Sequence, residues 1–296
     1  MFLVPDMITG SIVALVTPMH PDGEIDWPKL GELLEWHIAE GTAAIVPVGT
    51  TGESATVSMA EHCEIVKYTV DAVAGRVPVI AGTGANSTSE AIELTAAARD
   101  AGADACLLVT PYYNKPTQEG LFQHYTAIAS AVALPQYLYN VPGRTACDMV
   151  PETVARLYEN DLVVAIKEAT GDLKRSKDIQ ALCDIAIYSG DDATSCDLML
   201  QGAKGTISVS ANIAPGKVAA MASAAVAGDE STAKQIDEEL QGIHHELFLE
   251  SNPIPVKWAL AEMGRIDNGL RLPMTTFDAR YHDELRDAMR TAGVIS

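Results

Sequence analysis

Short apolar runs recur along the chain. Each closes on small or hydroxyl side chains, and each is followed by a stretch with helical spacing. SIVALVTP at 11–18 precedes DWPKLGELLEWHIAEG, and AAIVPVGTTGES at 43–54 precedes a predicted helix over 60–74. VPVIAGTGANST at 77–88 precedes SEAIELTAAARDAG, and ADACLLVTPYYN at 103–114 precedes a helix over 117–132. PQYLYNVPGRT at 135–145 precedes PETVARLYEN, and LVVAIKEATGD at 162–172 precedes a helix over 173–183. DIAIYSGDDAT at 184–194 precedes a helix over 195–202, and GTISVSANIAP at 205–215 precedes one over 216–227. Strands apolar on both faces, alternating with helices, predict a parallel sheet with right-handed crossovers. The fold class is therefore α/β, and eight such units match a (β/α)8 TIM barrel. A doubly wound open sheet is the competing architecture, but it would normally have fewer strands and a recognisable switch point.

Beyond residue 227 the pattern changes. Helical spacing covers 230–249, 255–263 and 278–291, with no strand-like run before SNPIP. Two parts are expected: a catalytic barrel over 1–227 and a C-terminal helical extension over 228–296 that packs on it. No linker-like stretch separates them.

Composition narrows the function classes. The 296 residues are 48% hydrophobic, enough for a large core, and carry a formal charge of −20. Nucleic acid and anionic membranes are disfavoured as partners, because both need clustered Lys and Arg. No apolar run reaches membrane-spanning length. MFLVPDMITG has no basic region and a proline at position 5, so it does not read as a signal peptide. The five cysteines show no metal-type spacing and read as reduced thiols of a cytoplasmic protein.

In a barrel of this kind, reactive groups sit at the C-terminal ends of strands and in the loops just after them. Those positions offer Thr17, the GTTGES turn at 49–54, the GTGANS turn at 82–87, Tyr112 and Tyr113, Tyr139 and Arg144, Lys167 and Glu168, Asp191 and Asp192, and Ser208, Ser210 and Asn212. The set contains no histidine, which disfavours a His-based triad or a His-ligated metal. His244 and His245 fall in the extension without an HExxH arrangement and read as surface residues. Asp191 and Asp192 suit a turn or a helix N-terminus better than a metal, because no third carboxylate stands near them. GTGANS lacks the third glycine of a dinucleotide fingerprint. In GTTGES, two glycines and two threonines gather backbone N–H groups and hydroxyls, a nest for a small carboxylate or simply a capped turn.

Lys167 is the sharpest feature. A lysine closing an apolar strand is unusual without a partner. Burial disfavours an ammonium ion, and a neutral amine can attack a ketone to form an imine that serves as an electron sink. The alternative is a lysine paired with a carboxylate or reaching out of the barrel mouth. Tyr113 and Tyr139 can relay protons, with Thr50 bridging them, or can be ordinary core residues. Arg144 can bind a carboxylate with two parallel hydrogen bonds or make a surface ion pair.

GTTGES, GTGANST, TPYYNKPTQEG, YNVPGRT, IKEATGD and GTISVSAN, in that order and over nearly the whole chain, resemble the 4-hydroxy-tetrahydrodipicolinate (dihydrodipicolinate) synthase family. These enzymes belong with the pyruvate-dependent class I aldolases and N-acetylneuraminate lyases. The resemblance implies condensation of pyruvate with L-aspartate 4-semialdehyde towards diaminopimelate and lysine, in a homotetramer built as a dimer of dimers. It implies no metal and no organic cofactor. Lys167 matches the imine-forming lysine, Tyr139 the proton-shuttling tyrosine, and Thr50 and Tyr113 its relay partners, Tyr113 being lent to a neighbouring copy. Thr51 matches the site of the pyruvate carboxylate and Arg144 that of the semialdehyde carboxylate. Gly190 and Ile207 match backbone positions of the pyruvate pocket. Ser54, Ala55, His62, Asn86, Glu90 and Tyr112 fit the pattern of an inhibitory lysine site, whereas Met59 stands where lysine-sensitive bacterial members often carry His. A sister aldolase for sugar acids is the nearest rival, and YNVPGRT speaks against it. A catalytically silent amino-acid-binding regulator predicts a broken Lys–Thr–Tyr set, and here that set is intact.

Overall fold

Eight parallel strands form the centre of the molecule in a computed structural model that describes residues 7–296. They are β1 (Gly10–Ala14), β2 (Ala44–Val46), β3 (Ile80–Gly82), β4 (Ala105–Val109), β5 (Gln136–Asn140), β6 (Val163–Glu168), β7 (Ala186–Ser189) and β8 (Gly205–Ser208). Hydrogen-bonded neighbours run β2-β1-β8-β7-β6-β5-β4-β3, and a parallel bridge from Ile45 to Val79 brings β2 against the segment entering β3. The ring is thus almost continuous, a barrel rather than an open sheet. Residues 1–6 of the N-terminal stretch MFLVPDMITG lie outside the described residues. No described helix is long and apolar enough to cross a membrane.

Helices α1 (Trp27–Ala39), α2 (Met59–Val73), α3 (Thr88–Ala101), α4 (Gln118–Ala131), α5 (Pro142–Thr145), α6 (Pro151–Tyr158), α7 (Leu173–Gln180), α8 (Ser195–Leu200) and α9 (Pro215–Val226) follow the strands. Their starts are written in the sequence. Ser58 and Glu61 close a reciprocal capping box on α2, and Asp26 caps α1, whose second residue is proline. The short turn α5 falls inside a stretch expected to continue from a strand. Residues 77–88 give only three residues of strand, because Thr83–Ser87 turn sharply into α3.

The period of two along each strand sorts the core into two layers. Ile12, Ala14, Ala44, Val46, Ile80, Leu107, Tyr137, Tyr139, Ala165, Tyr188 and Ile207 face the barrel interior. Val13, Ile45, Leu108, Leu138, Ile166 and Ile187 face outward against the helices. Tyr137 and Tyr188 lie with ring centroids 5.4 Å apart, and the Tyr188 hydroxyl donates to the Ile8 carbonyl at 2.5 Å. Together they plug the end of the barrel opposite the loops that carry function.

After residue 227 come α10 (Glu230–Glu246), α11 (Ile254–Glu262) and α12 (His282–Thr291), the last preceded by a 3-10 turn at Ala279–Tyr281. α10 stops earlier than its spacing predicts, where 247–253 turn the chain back toward the barrel mouth.

Candidate active site

Lys167 and Glu168 are neighbours in sequence but face opposite ways. Lys167 shares the parity of Ala165 and points into the barrel, while Glu168 shares that of Ile166 and points into the outer layer. Tyr139 is the residue paired with Lys167 on β5, so both side chains rise on the same face. Lys167 Nζ sits 4.4 Å from the centre of the Tyr139 ring. Lys167 is 5% exposed and Tyr139 7%. Among the described residues no ion pair involves Lys167, in contrast to Lys257, which pairs with Glu53. The lysine is therefore enclosed with no carboxylate in contact among the described residues, and the ring face is the partner it has.

Glu168 and Asn140 meet behind this pair. The Asn140 amide donates to Glu168 Oε2 at 3.1 Å and to Asp148 Oδ1 at 2.9 Å, while its oxygen accepts from the Met149 N–H at 2.9 Å. Arg175 grips both oxygens of Asp148 at 2.8 Å. Burial pushes the Glu168 carboxyl above its usual range, and bonds from Thr170 and Asn140 oppose that shift. This polar set ties β5 to β6 at the level of Tyr139 and Lys167.

The turn at 49–54 lies across the mouth. Its hydrogen bonds run from Gly52 N–H to Gly49 O at 3.1 Å and from Glu53 N–H to Thr50 O at 3.1 Å. Gly52 cannot carry a side chain, since a Cβ would lie 2.9 Å from the Val48 backbone. Glu53 adopts a left-handed φ of 59°. The buried Thr51 hydroxyl accepts from the Asn252 amide at 2.9 Å, and Thr17 donates to the Gly52 carbonyl at 2.7 Å. Thr50 lines a cavity of about 230 Å³ together with Ser54, Ala55, Val109, Tyr112, Val141 and Arg144. A small adjoining pocket of about 20 Å³ shares Thr50, Ser54 and Val109 and reaches Tyr139. Lys167 itself lines neither, but Tyr139, whose ring it faces, lines the smaller one.

Arg144 stands exposed on α5 at the rim of this cavity, with only a 3.4 Å contact to the Asn252 carbonyl. No ion pair involves it among the described residues, so its guanidinium is free to meet a carboxylate. Gly190 backs Lys167: a Cβ there would sit 2.7 Å from Lys167 Cε and 2.6 Å from Ala169 Cβ. Ile207, 1% exposed, completes the interior wall on β8.

Tyr113 is apart from this group. It is 89% exposed, with a left-handed φ of 73°, so within one copy it projects outward from the mouth. Of the candidate lysine-site residues, Ser54, Ala55 and Tyr112 line the large cavity. Asn86 donates to the Tyr112 carbonyl at 3.2 Å. Burial raises the Tyr112 phenol, and the charge of Glu90, exposed on α3, adds to the shift. His62 lies apart, its Nε2 donating to the Gly82 carbonyl at 2.6 Å, and burial lowers its proton affinity. Met59 is 36% exposed.

His244 corrects an expectation. It is not a surface residue but 2% exposed, with Nδ1 2.8 Å from the Ser210 hydroxyl. Helical spacing put it in the extension, but it is on the α10 face that packs over the loop after β8. Its neighbour His245 is exposed as expected. Asp191 accepts from the Thr194 N–H and hydroxyl, a turn cap, whereas the buried Asp192 takes the N–H groups of Val209 and Ser210 at 2.9 Å. Sequence reasoning also missed Asn252, Lys257 and Arg271, whose partners lie some two hundred residues earlier. No local pattern marks such contacts.

Fold and homology together define a (β/α)8-barrel enzyme, with an enclosed lysine near the C-terminal end of β6. The chain belongs to the Dihydrodipicolinate synthetase family, whose family model matches residues 7–292. A 4-hydroxy-tetrahydrodipicolinate synthase of Stutzerimonas stutzeri is 60% identical over 292 residues, covering 98% of this chain and 100% of that protein. One from Pseudomonas aeruginosa is 58% identical over 292 residues, again covering 98% and 100%. A chloride-inhibited dihydrodipicolinate synthase from Acinetobacter baumannii, solved in complex with pyruvate, superposes with a TM-score of 0.96 at 58% identity, covering 98% of this chain and 100% of that one.

Proposed function

We propose that this protein condenses pyruvate with L-aspartate 4-semialdehyde to give 4-hydroxy-tetrahydrodipicolinate, through an imine on Lys167. The observation that carries the reading is Lys167 itself. It is enclosed on the interior face of β6, free of any ion pair among the described residues and covered by the Tyr139 ring, in a chain of this family. The shared name of its full-length relatives favours this reaction over that of a sister aldolase.

In this scheme the Lys167 amine adds to the pyruvate ketone, and loss of water gives the imine. The protonated imine draws electrons from the methyl group, which gives up a proton to form an enamine. The enamine carbon attacks the aldehyde, whose oxygen takes a proton. The amine of the semialdehyde portion then displaces Lys167 and closes the ring, returning the free lysine. Protons move through Tyr139, with Thr50 bridging to Tyr113 of a neighbouring copy; the exposure of Tyr113 supports that loan. Thr51 and the turn's N–H groups receive the pyruvate carboxylate, and Gly190 and Ile207 wall the pocket. Arg144, unpaired at the cavity rim, receives the second carboxylate. No metal or organic cofactor enters the scheme.

The proposal extends to a homotetramer working in the cytoplasm for diaminopimelate and lysine biosynthesis, with the barrel of 1–227 carrying the chemistry and 228–296 supporting it. Ser54, Ala55, His62, Asn86, Glu90 and Tyr112 are assigned to lysine inhibition. Tyr112, Asn86 and Glu90 cluster in support of that, and a structural relative from Cyanidioschyzon merolae was solved with lysine bound. Borohydride trapping with pyruvate, followed by peptide mapping and a semialdehyde turnover assay, tests the reaction. An unmodified Lys167 refutes the imine, and trapping without turnover refutes the second substrate. Absence of heat on titration with millimolar L-lysine refutes the inhibitory site.

A further inference from the structure

The turn at 49–54 is held from outside the barrel by an ion pair that the reaction does not use. Lys257, on α11, is fully buried, and Glu53 is 4% exposed. Lys257 Nζ donates to Glu53 Oε1 at 2.5 Å, and Glu53 Oε2 accepts from the Arg271 N–H at 3.2 Å. The Arg271 guanidinium is in turn gripped by both oxygens of Glu61 and donates to the Thr56 carbonyl. Removal from water works against the Lys257 ammonium, and only Glu53 offsets it, with Arg271 opposing as a nearby like charge.

Stability does not account for such a pair. Two charges taken out of water gain little or nothing over apolar side chains of the same volume. What the pair does supply is a fixed direction. Glu53 has the left-handed backbone that shapes the turn, its N–H donates to the Thr50 carbonyl, and its side chain is clamped at both oxygens. The residue two positions back is Thr51, and Thr50 precedes it. Movement of Glu53 therefore moves both hydroxyls and the N–H groups beside them.

We propose that the buried Lys257–Glu53 pair is a positioning device. Through it the C-terminal helices set the Thr50–Thr51 turn for the pyruvate carboxylate. The inference rests on the function proposed above. A carboxylate site made of N–H groups and hydroxyls depends on their mutual placement, and errors of about 1 Å cost on the order of a hundredfold.

The test replaces the pair by apolar residues of similar volume, Glu53→Leu with Lys257→Met, in the full chain. Thermal unfolding, pyruvate half-saturation in borohydride trapping, and the KM for the semialdehyde are measured together. The expected result is a folded chain whose pyruvate half-saturation rises about ten- to a hundredfold, more than the KM for the semialdehyde, whose cavity Glu53 also lines. A merely structural pair would lower the active fraction, and with it kcat, without moving the pyruvate half-saturation. A folded double variant with wild-type pyruvate half-saturation overturns the proposal. If the double variant does not fold, Glu53→Gln, which keeps the side chain's shape and one acceptor, carries the same two outcomes. Failure of the wild-type chain to be trapped at Lys167 refutes the reaction itself. Normal trapping in both chains refutes only the positioning role.

Discussion

Gly190→Ala adds a single methyl group beside Lys167. The added carbon would lie 2.6 Å from Ala169 Cβ, 2.7 Å from Lys167 Cε and 3.0 Å from Lys167 Cγ. Carbon atoms pack at about 3.5–4.0 Å, so the overlap approaches 1 Å. Ala169 Cβ is fixed to the backbone and cannot swing away. Lys167 is the partner able to move, and its amine must leave its place over the Tyr139 ring. Overpacking of this kind costs about 1–3 kcal/mol, which for a chain of this size is a few degrees of unfolding temperature. A displacement near 1 Å at the nucleophile costs on the order of a hundredfold in rate. The assay is the first-order rate of borohydride-trapped labelling by pyruvate, with thermal unfolding as control. The expected outcome is a folded protein, a few degrees less stable, that forms the imine about a hundred times more slowly. Labelling at the wild-type rate with an unchanged melting temperature would refute the steric argument and the placement of Gly190 against the lysine.

Other consequences can be checked independently. Tyr139→Phe keeps the ring over Lys167 but removes the hydroxyl, so kcat should fall about 10²–10⁴-fold with little change in melting temperature; a loss under threefold would count against the relay. Asn140→Leu leaves Glu168 and the Met149 N–H short of partners and should cost about 3 kcal/mol in urea unfolding. A cost below about 1 kcal/mol would show that the polar set behind the site is dispensable. Burial depresses His37 to about 3 and His124 to about 4, so both stay neutral in the fold while the unfolded chain takes up protons below about pH 6.5. Their contribution to stability is complete above that pH and is lost as pH falls towards 4 for His124 and 3 for His37, about 2 kcal/mol each between pH 6.5 and 5. His37→Gln should flatten the pH dependence of unfolding by that amount, and an unchanged slope would contradict the assignment.

The barrel was legible because each strand and its helix are local events. An apolar run, a small-residue turn and a capped amphipathic stretch announce themselves within about 25 residues. Lys167 was legible for the same reason, as a charge closing an apolar run. What the sequence concealed is long-range. Nothing near SNPIP indicates that Asn252 meets Thr51, or that Lys257 is buried against Glu53. His244 reads as superficial because it falls in the helical extension without a motif around it, and only its packing over Ser210 places it inside. Asn140 and Glu168 each look like ordinary strand-end residues until the register between β5 and β6 aligns them.

The alternation on β6 has a consequence for how this chain can change. Lys167 and Glu168 are separated by one position and by the full thickness of the barrel wall. Substitutions at neighbouring positions alter the surroundings of the amine by degrees. Loss or gain of a single codon between 163 and 166 would instead rotate the remainder of the strand by one step. A carboxylate would then face the mouth, and the lysine side chain would be driven among Leu138, Ile187 and the outer helices. Length variation can therefore accumulate in the surface loops of this scaffold, whereas residues 163–166 can drift in composition but not in length.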